Sequence, residues 1–338
     1  MGQCGASLES LEMSFWKNRK VFVSGASGLL GSALVETLIA RNAEVTCLVR
    51  DWVHGSKLLE SDYFSRCNTV RGELSDFELL LRAVNEYEID SVFHLGAQTI
   101  VGTAARSPLS TFESNIKGTW NLLEACRQCS GKVERVVVAS SDKAYGSSDT
   151  LPYTEDTPLA GRFPYDVSKS CTDLIALSYF HTYRLPLAIT RCGNLFGAGD
   201  LNFNRLVPGT IRSALQDEAP VIRSDGQFVR DYFYVDDAVD ACLRLAERLP
   251  DDRVAGQAFN FGTETPVSVI DLVRRLLALM GKSGLEPIVL NQASHEIREQ
   301  FLDCSRARAV LGWKPAHSLD EALEKTIAWY QAWSNRAD

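Results

Sequence analysis

Residues 20–31 read Lys-Val-Phe-Val-Ser-Gly-Ala-Ser-Gly-Leu-Leu-Gly. A short apolar, β-branched run enters a G-x-x-G-x-x-G turn at Gly25, Gly28 and Gly31, and a helical pattern follows over 29–40. Glycines at this spacing allow a tight turn, let a pyrophosphate approach the backbone, and pack the helix against the strand. The helix start then presents free N–H groups to the phosphates. A bare glycine turn explains the spacing but not its strand–turn–helix setting. The expected cofactor contacts here are Gly25, Ser27, Gly28, Leu29, Leu30 and Gly31.

Working outward, the next strand ends at Val49-Arg50-Asp51. An acid at a strand tip binds the ribose 2′-hydroxyl of NAD, and an arginine there holds the 2′-phosphate of NADP. Both residue types are present, so NAD and NADP both stand at this stage, with Arg50 alternatively a solvated surface residue. Glu73 and Leu74 follow the third strand, where adenine contacts form. His94-Leu95-Gly96-Ala97 closes the fourth, with small residues where backbone passes a cofactor. Leu95, Gly96 and Ala97 are expected to line the site. His94 is read first as a core histidine with satisfied ring nitrogens.

Strand-like runs are expected at 20–23, 45–49, 69–71, 91–95, 135–140, 187–191 and 258–261, and helices between them at 29–40, 77–87, 115–129 and 167–183. Several strands are apolar without alternation, as in a sheet buried on both faces. The repeated β-α order implies an α/β fold: a doubly wound parallel sheet of Rossmann type, with a smaller C-terminal substrate lobe. The expected division is a flexible leader (1–17), a dinucleotide-binding part (18–192, with pieces returning near 231–262), and a lobe (193–230 and 263–338).

Strand 135–140 opens into Ser140-Ser141-Asp142-Lys143-Ala144-Tyr145-Gly146, and Tyr165-Asp-Val-Ser-Lys169 begins a helix downstream. Residues four apart share a helix face. The Lys169 ammonium is therefore expected to lower the Tyr165 pKa and make the phenol a general base. Lys169 can also reach a cofactor ribose, and Ser141 can bond the same substrate hydroxyl.

Over about residues 18–335 the chain resembles the extended short-chain dehydrogenase/reductase family. The resemblance rests on GASGLLG, HLGAQ, NIKGTWNLLEA, SSDKAYG, YDVSK, RCGNLFGAGD, FVRDYFYVDD and SRARAVLGWKP. It implies Ser141, Tyr165 and Lys169 as the catalytic trio, and a nucleotide-activated hexose as substrate. Dehydratases of the dTDP-glucose and GDP-mannose types carry a Glu where this chain has Lys143. The Ser-Asp-Lys run resembles instead the CDP-glucose 4,6-dehydratase branch, as do residues 199–208 and the opening FWKNRKVFVSGASG. The phosphate loop departs from that branch, which reads GHTGFKG. The resemblance implies a tightly bound, recycled NAD or NADP. Tyr165 takes the 4-hydroxyl proton as hydride leaves C4, Lys143 as a neutral amine takes the C5 proton, and Asp142 protonates the departing hydroxyl. Asn194, Arg205 and Arg230 are implied at the sugar-nucleotide pyrophosphate, each alternatively a structural ion pair, Arg230 beside Asp231 above all. A 4-epimerase needs the trio but no C5 base. A non-catalytic cofactor sensor needs neither. The family also implies a homodimer through helices at 109–129 and 167–183.

Other classes are excluded by composition. Hydrophobic residues at 45% and charged residues at 23% are globular values. A net charge of −8 excludes a diffuse phosphate-backbone binder, so no nucleic-acid partner is expected. No apolar run is long enough to span a bilayer. The first residues lack the basic and apolar regions of a secretory signal, and Ala6 replaces the Ser or Thr of a myristoylation start. Nine cysteines scattered through apolar stretches point to a reducing, cytoplasmic setting. Cys126 and Cys129 form one C-x-x-C with no second pair, read as ordinary helix cysteines rather than a redox or zinc site, so no metal is expected.

Overall fold

The structure, a computed structural model, describes residues 15–292 and 296–335. Strands β1 (Lys20–Ser24), β2 (Glu44–Val49), β3 (Asn68–Arg71), β4 (Ser91–His94), β5 (Arg135–Ser141) and β6 (Leu187–Cys192) alternate with helices. The main helices are α1 (Leu29–Ala40), α2 (Phe77–Glu86), α3 (Gly118–Gln128) and α4 (Pro164–Tyr183). Beyond β6 come β7 (Asn194–Phe196), β8 (Val221–Ile222), β9 (Val229–Arg230), β10 (Tyr232–Tyr234), β11 (Ala258–Phe261), β12 (Val267–Ser268), β13 (Ile288–Val289) and β14 (Glu299–Gln300).

The main sheet has seven strands in the order β11-β6-β5-β4-β1-β2-β3. Every pairing in it is parallel. The order reverses between β1 and β4, and ligands bind at the carboxyl ends of strands at such a switch point. Alternate residues of one strand serve opposite faces. In β1, Val21 and Val23 join a core with α1 and the helix Val235–Glu247, whereas Phe22 joins a second core with α2, α3 and α4. Burial on both faces is why these strands read as continuous apolar runs.

Three expectations change. Residues 1–14 of the expected leader lie outside the described residues, but Phe15 and Trp16, also assigned to it, are packed. Trp16 is fully buried and donates from Nε1 to Glu247 Oε1 at 2.6 Å. Helix α4 starts at Pro164 rather than 167, because proline at the first helical position gives up an N–H that has no partner there. The helix expected from 115 is preceded by two short helices and a π-helical turn, Glu113–Lys117. That turn buries the Asn115 side chain. Its Oδ1 accepts from the Gln98 N–H at 2.7 Å, and its Nδ2 donates to Gln98 O at 3.0 Å and Ser168 Oγ at 2.9 Å.

The lobe is stitched from separated stretches. Strand β9 pairs with β12 and with β14 in a three-stranded sheet. The buried Arg230 donates to the carbonyls of Val229, Arg298 and Ile297 at 2.8, 2.9 and 2.5 Å. No described helix is long and apolar enough to cross a membrane.

Candidate active site

At the carboxyl edge of the sheet lies a cleft of about 1440 Å³. Its first wall is the glycine turn. Gly25 has φ +71°, and a Cβ there would stand 2.7 Å from the Gly96 backbone. A Cβ on Gly31 would stand 2.0 Å from Gly25 O. The turn therefore meets the crossing segment at Gly96 only because Gly25 lacks a side chain, and closes on its own helix only because Gly31 does. Gly28 caps α1 in an extended conformation with no side-chain cap, and the first turn carries no acid. Uncapped N–H groups with no nearby carboxylate suit a pyrophosphate. Ser27, Leu29 and Leu30 line the same wall, followed by Arg50, Asp51, Glu73 and Leu74, then Leu95, Gly96 and Ala97. The cradle fits a dinucleotide running from the adenine end at β2–β3 toward β5. Arg50 Nε donates to Asp51 Oδ2 at 2.6 Å on an exposed tip.

His94 is a core residue. Ser24 Oγ accepts from the N–H groups of Leu95 and Gly96, both at 3.1 Å, so its own hydrogen goes to His94 Nδ1 at 2.9 Å. Thr119 Oγ1 donates to Asn115 O at 2.5 Å and accepts from His94 Nε2 at 2.9 Å. Both ring nitrogens are used, and burial, helped by the Lys169 charge, pushes the ring down to about 3, so it is neutral.

The second wall holds the reactive groups. Strand β5 ends at Ser141, whose Oγ donates to Asp142 Oδ1 at 2.9 Å and accepts from the Lys143 N–H at 3.2 Å. Asp142 is 1% exposed, and its Oδ2 has no hydrogen-bond partner. A buried carboxylate oxygen without a partner is costly; Asp142 itself does not line the cleft, whereas its neighbours Ser141 and Lys143 do. Lys143 Nζ donates to Asn194 Oδ1 at 3.4 Å and to Gln300 Oε1, and lies 3.6 Å from Asp142 Oδ1. Burial pushes the Lys143 ammonium below its ordinary value, with the Asp142 charge opposing.

The expected effect of Lys169 on Tyr165 is not what the structure shows. Lys169 Nζ donates to Ala139 O at 2.8 Å, which leaves two of its three N–H groups for other partners. Burial pushes the Tyr165 phenol above its ordinary value; the Arg205 charge and a hydrogen bond with Ser141 oppose that rise. Burial also takes Lys169 down to about 8, with Asp173 opposing. A buried pair one helical turn apart thus exchanges less charge stabilisation than spacing alone suggests.

Three site residues were not legible in the sequence. Asp166, beside Tyr165, faces the cleft and is pushed up to about 6 by burial, with Lys143 pulling it back. Thr99 accepts from Arg205 Nη2 at 2.8 Å, while Arg205 Nη1 bonds Asp200 Oδ2 at 2.9 Å. Gln300 arrives from 157 residues away. Asn194, Arg205 and Arg230 all line the cleft. Arg230 is not paired with Asp231, which instead accepts from Thr263 and Glu264. Its guanidinium lies 3.7 Å from Glu296 and otherwise holds the lobe's backbone. The described cysteines are all free, and no described cluster could hold a metal ion.

The chain matches the model of the NAD dependent epimerase/dehydratase family over residues 21–262, and it belongs to that family. Among individual relatives it is 30% identical to a CDP-glucose 4,6-dehydratase of Salmonella typhimurium, covering 97% of this chain and 95% of the relative. It is 28% identical to a dTDP-glucose 4,6-dehydratase of Xanthomonas campestris over 92% of this chain and 93% of that one. Two solved structures superpose with TM-scores of 0.84. One is the Streptomyces venezuelae dTDP-glucose 4,6-dehydratase with NAD bound, 28% identical, covering 94% of this chain and 98% of that one. The other is the Thermotoga maritima UDP-glucose 4-epimerase with UDP-glucose, 27% identical, covering 93% and 99%.

Proposed function

We propose that this chain is an NAD-dependent nucleotide-sugar 4,6-dehydratase of the CDP-glucose type. It turns a nucleotide-activated hexose into its 4-keto-6-deoxy form. The observation that carries this reading is the run Ser141-Asp142-Lys143, of which Ser141 and Lys143 line one cleft with Tyr165 while Asp142 is buried between them. It offers a free buried carboxylate oxygen and a lysine amine pushed toward neutrality. An epimerase has no use for either.

When bound, NAD supplies a hydride acceptor that takes hydrogen from C4 and gives it back at C6. The chain does the rest. Ser141 and Tyr165 hold the sugar 4-hydroxyl, and Tyr165 removes its proton. The resulting ketone acidifies C5–H, and the Lys143 amine takes that proton. For the C6 oxygen to leave as water Asp142 must enter this step in its protonated form, giving that proton from Oδ2 and ending as the carboxylate. Lys143 then returns its proton to C5. The proton gained by Tyr165 balances the one given by Asp142, so the sugar loses one water in total. Asn194 and Arg205 are assigned to the pyrophosphate, with Arg230 adding positive charge behind them. Gly25, Ser27, Gly28, Leu29, Leu30, Gly31, Glu73, Leu74, Leu95, Gly96, Ala97 and Lys169 are assigned to the cofactor.

The deciding experiment incubates purified protein, without added reductant, with CDP-, dTDP-, UDP- and GDP-hexoses in deuterated water. A product lighter by one water and carrying deuterium at C5 supports the reading. Formation of 4-epimers of unchanged mass, with no C5 deuterium, would assign the chain to the epimerases instead. Arg50, held by Asp51 on the surface, is a minor contributor. Arg50→Ala should change NAD affinity by no more than about threefold in a calorimetric titration, the scale of an exposed ion pair.

We also assign the protein to the cytoplasm as a homodimer. Leu109, Trp120 and Leu174 expose 72%, 43% and 58% of their surface along the short helix Pro108–Phe112, α3 and α4. A second copy on that face would bury them.

A further inference from the structure

Both oxygens that accept a hydrogen bond from Lys143 Nζ belong to uncharged amides, Asn194 and Gln300. Charged groups are nevertheless close. Asp142 on the same turn, Arg230 on β9, Asp166 on α4 and Glu296 ahead of β14 all act on this amine. Lys143 lines the cleft, and Gln300, fully buried, stands behind it. The position of Gln300 is fixed from two sides. Strand β14 pairs in parallel with β9, setting Gln300 against Arg230, and Arg230 clamps the carbonyls of Ile297 and Arg298 just upstream. On the far side, Tyr153 N–H donates to Phe301 O at 3.0 Å and Asp303 N–H donates to Tyr153 O at 2.8 Å. At its base, the Lys143 backbone is tied to Ser141. One end of the lysine is therefore anchored by the sheet and the other by the lobe.

We infer that Gln300 is a positioning residue of the dehydratase: it holds the Lys143 amine over the cleft from the opposite lobe, as an acceptor that carries no charge. The inference rests on the assignment of Lys143 as the C5 base. The physical reason for an amide is selective. A flexible four-carbon stem needs an anchor to present its nitrogen in one place. A carboxylate would anchor it equally well but would stabilise the ammonium, and an ammonium cannot take a proton. Burial favours the free amine, and a neutral acceptor leaves that preference intact.

Gln300→Glu separates anchoring from charge, since it keeps shape and hydrogen bond and adds a negative charge. A further carboxylate, added to Asp142, Asp166 and Glu296, raises the Lys143 pKa, so less free amine is present at a given pH. In the holoenzyme, the acid limb of the pH profile for C5 deuterium exchange should move up by about one pH unit or more, with exchange recovering in alkali. Lysine Nζ titration by nitrogen-15 NMR, with the Lys143 signal identified by its loss in Lys143→Met, should move in the same direction. Gln300→Met removes the acceptor at similar volume. It should lower kcat about tenfold or more with KM little changed and the limb no higher than in the wild type. A purely structural residue would lower the folded fraction and move neither the limb nor the Lys143 titration. If the wild type exchanges C5 and both readouts stay in place in a folded Gln300→Glu protein, the inference is wrong and the dehydratase reading survives. If the wild type exchanges no C5 hydrogen with any nucleotide sugar, the dehydratase reading is wrong and the inference goes with it. Should Gln300→Glu fail to fold, an undiminished kcat in Gln300→Met overturns the inference, and the kcat loss at constant KM upholds it.

Discussion

Tyr165→Phe is expected to fold, retain cofactor and lose about 10²–10⁴-fold in turnover, the range for removing one positioned acid–base group. The change deletes a single oxygen. The ring is 8% exposed and keeps its packing, so stability should hardly move. What is lost is the acceptor of the 4-hydroxyl proton, together with the hydrogen bond shared with Ser141. Because burial holds the phenol above its ordinary value, the wild-type rate should still be rising with pH through the neutral range, and Tyr165→Phe should lose that component while keeping the limb set by Lys143. The measurements are turnover of the preferred nucleotide sugar against pH, and cofactor content of the purified protein. Turnover near the wild-type level would take Tyr165 out of the base role.

Lys143→Met should stop the reaction midway. Methionine matches the stem in length and removes the amine, so oxidation at C4 remains possible while C5 deprotonation does not. Deuterium uptake at C5 and release of the 6-deoxy product should both fall by about 10²–10⁴-fold. A rise in near-ultraviolet absorbance on adding substrate would mark the oxidation that survives. The change leaves the buried Gln300 Oε1 without its donor, so a modest fall in melting temperature is expected and must be separated from the kinetic loss. If Lys143→Met forms product at the wild-type rate, the reaction class can stand, but the base must be sought elsewhere. Asp166 is the next group to examine, since it faces the same cleft with its carboxyl already raised to about 6.

The parts of the site that could be read from the chain are those whose chemistry is local. The glycine turn is one contiguous run, Ser141 ends a strand that reads as a strand, and Tyr165 and Lys169 are one helical turn apart. Gln300 carried no such signal. It sits on a two-residue strand, and its partner Lys143 is 157 residues distant. Asp166 looks in sequence like any acid in a first helical turn, and only burial beside Lys143 makes it distinctive. The charge coupling expected between Lys169 and Tyr165 followed from spacing. Spacing could not foresee that burial would outweigh it and hold the phenol above its ordinary value. Arg230 was drawn toward phosphate by its charge, whereas most of its hydrogen bonds go to carbonyls of the lobe's own backbone.

The path of the chain through the sheet limits how this enzyme can change. It leaves the sheet at Cys192, begins the lobe, and returns to add β11 beside β6 before going out again. Asn260 on that returning strand accepts from the Tyr145 hydroxyl at 2.6 Å and donates to Tyr153 O and Asp303 O. The lobe is therefore not a cassette. Cutting the chain once after β6 strips the sheet of an edge and leaves buried polar atoms bare, so neither piece inherits a complete core. A lobe transplanted from a relative would have to arrive in two segments, with the strand between them left behind. New substrates are reached more readily by replacing side chains in place than by trading modules, and ancestry should be recorded in the lobe as scattered point differences rather than as a breakpoint.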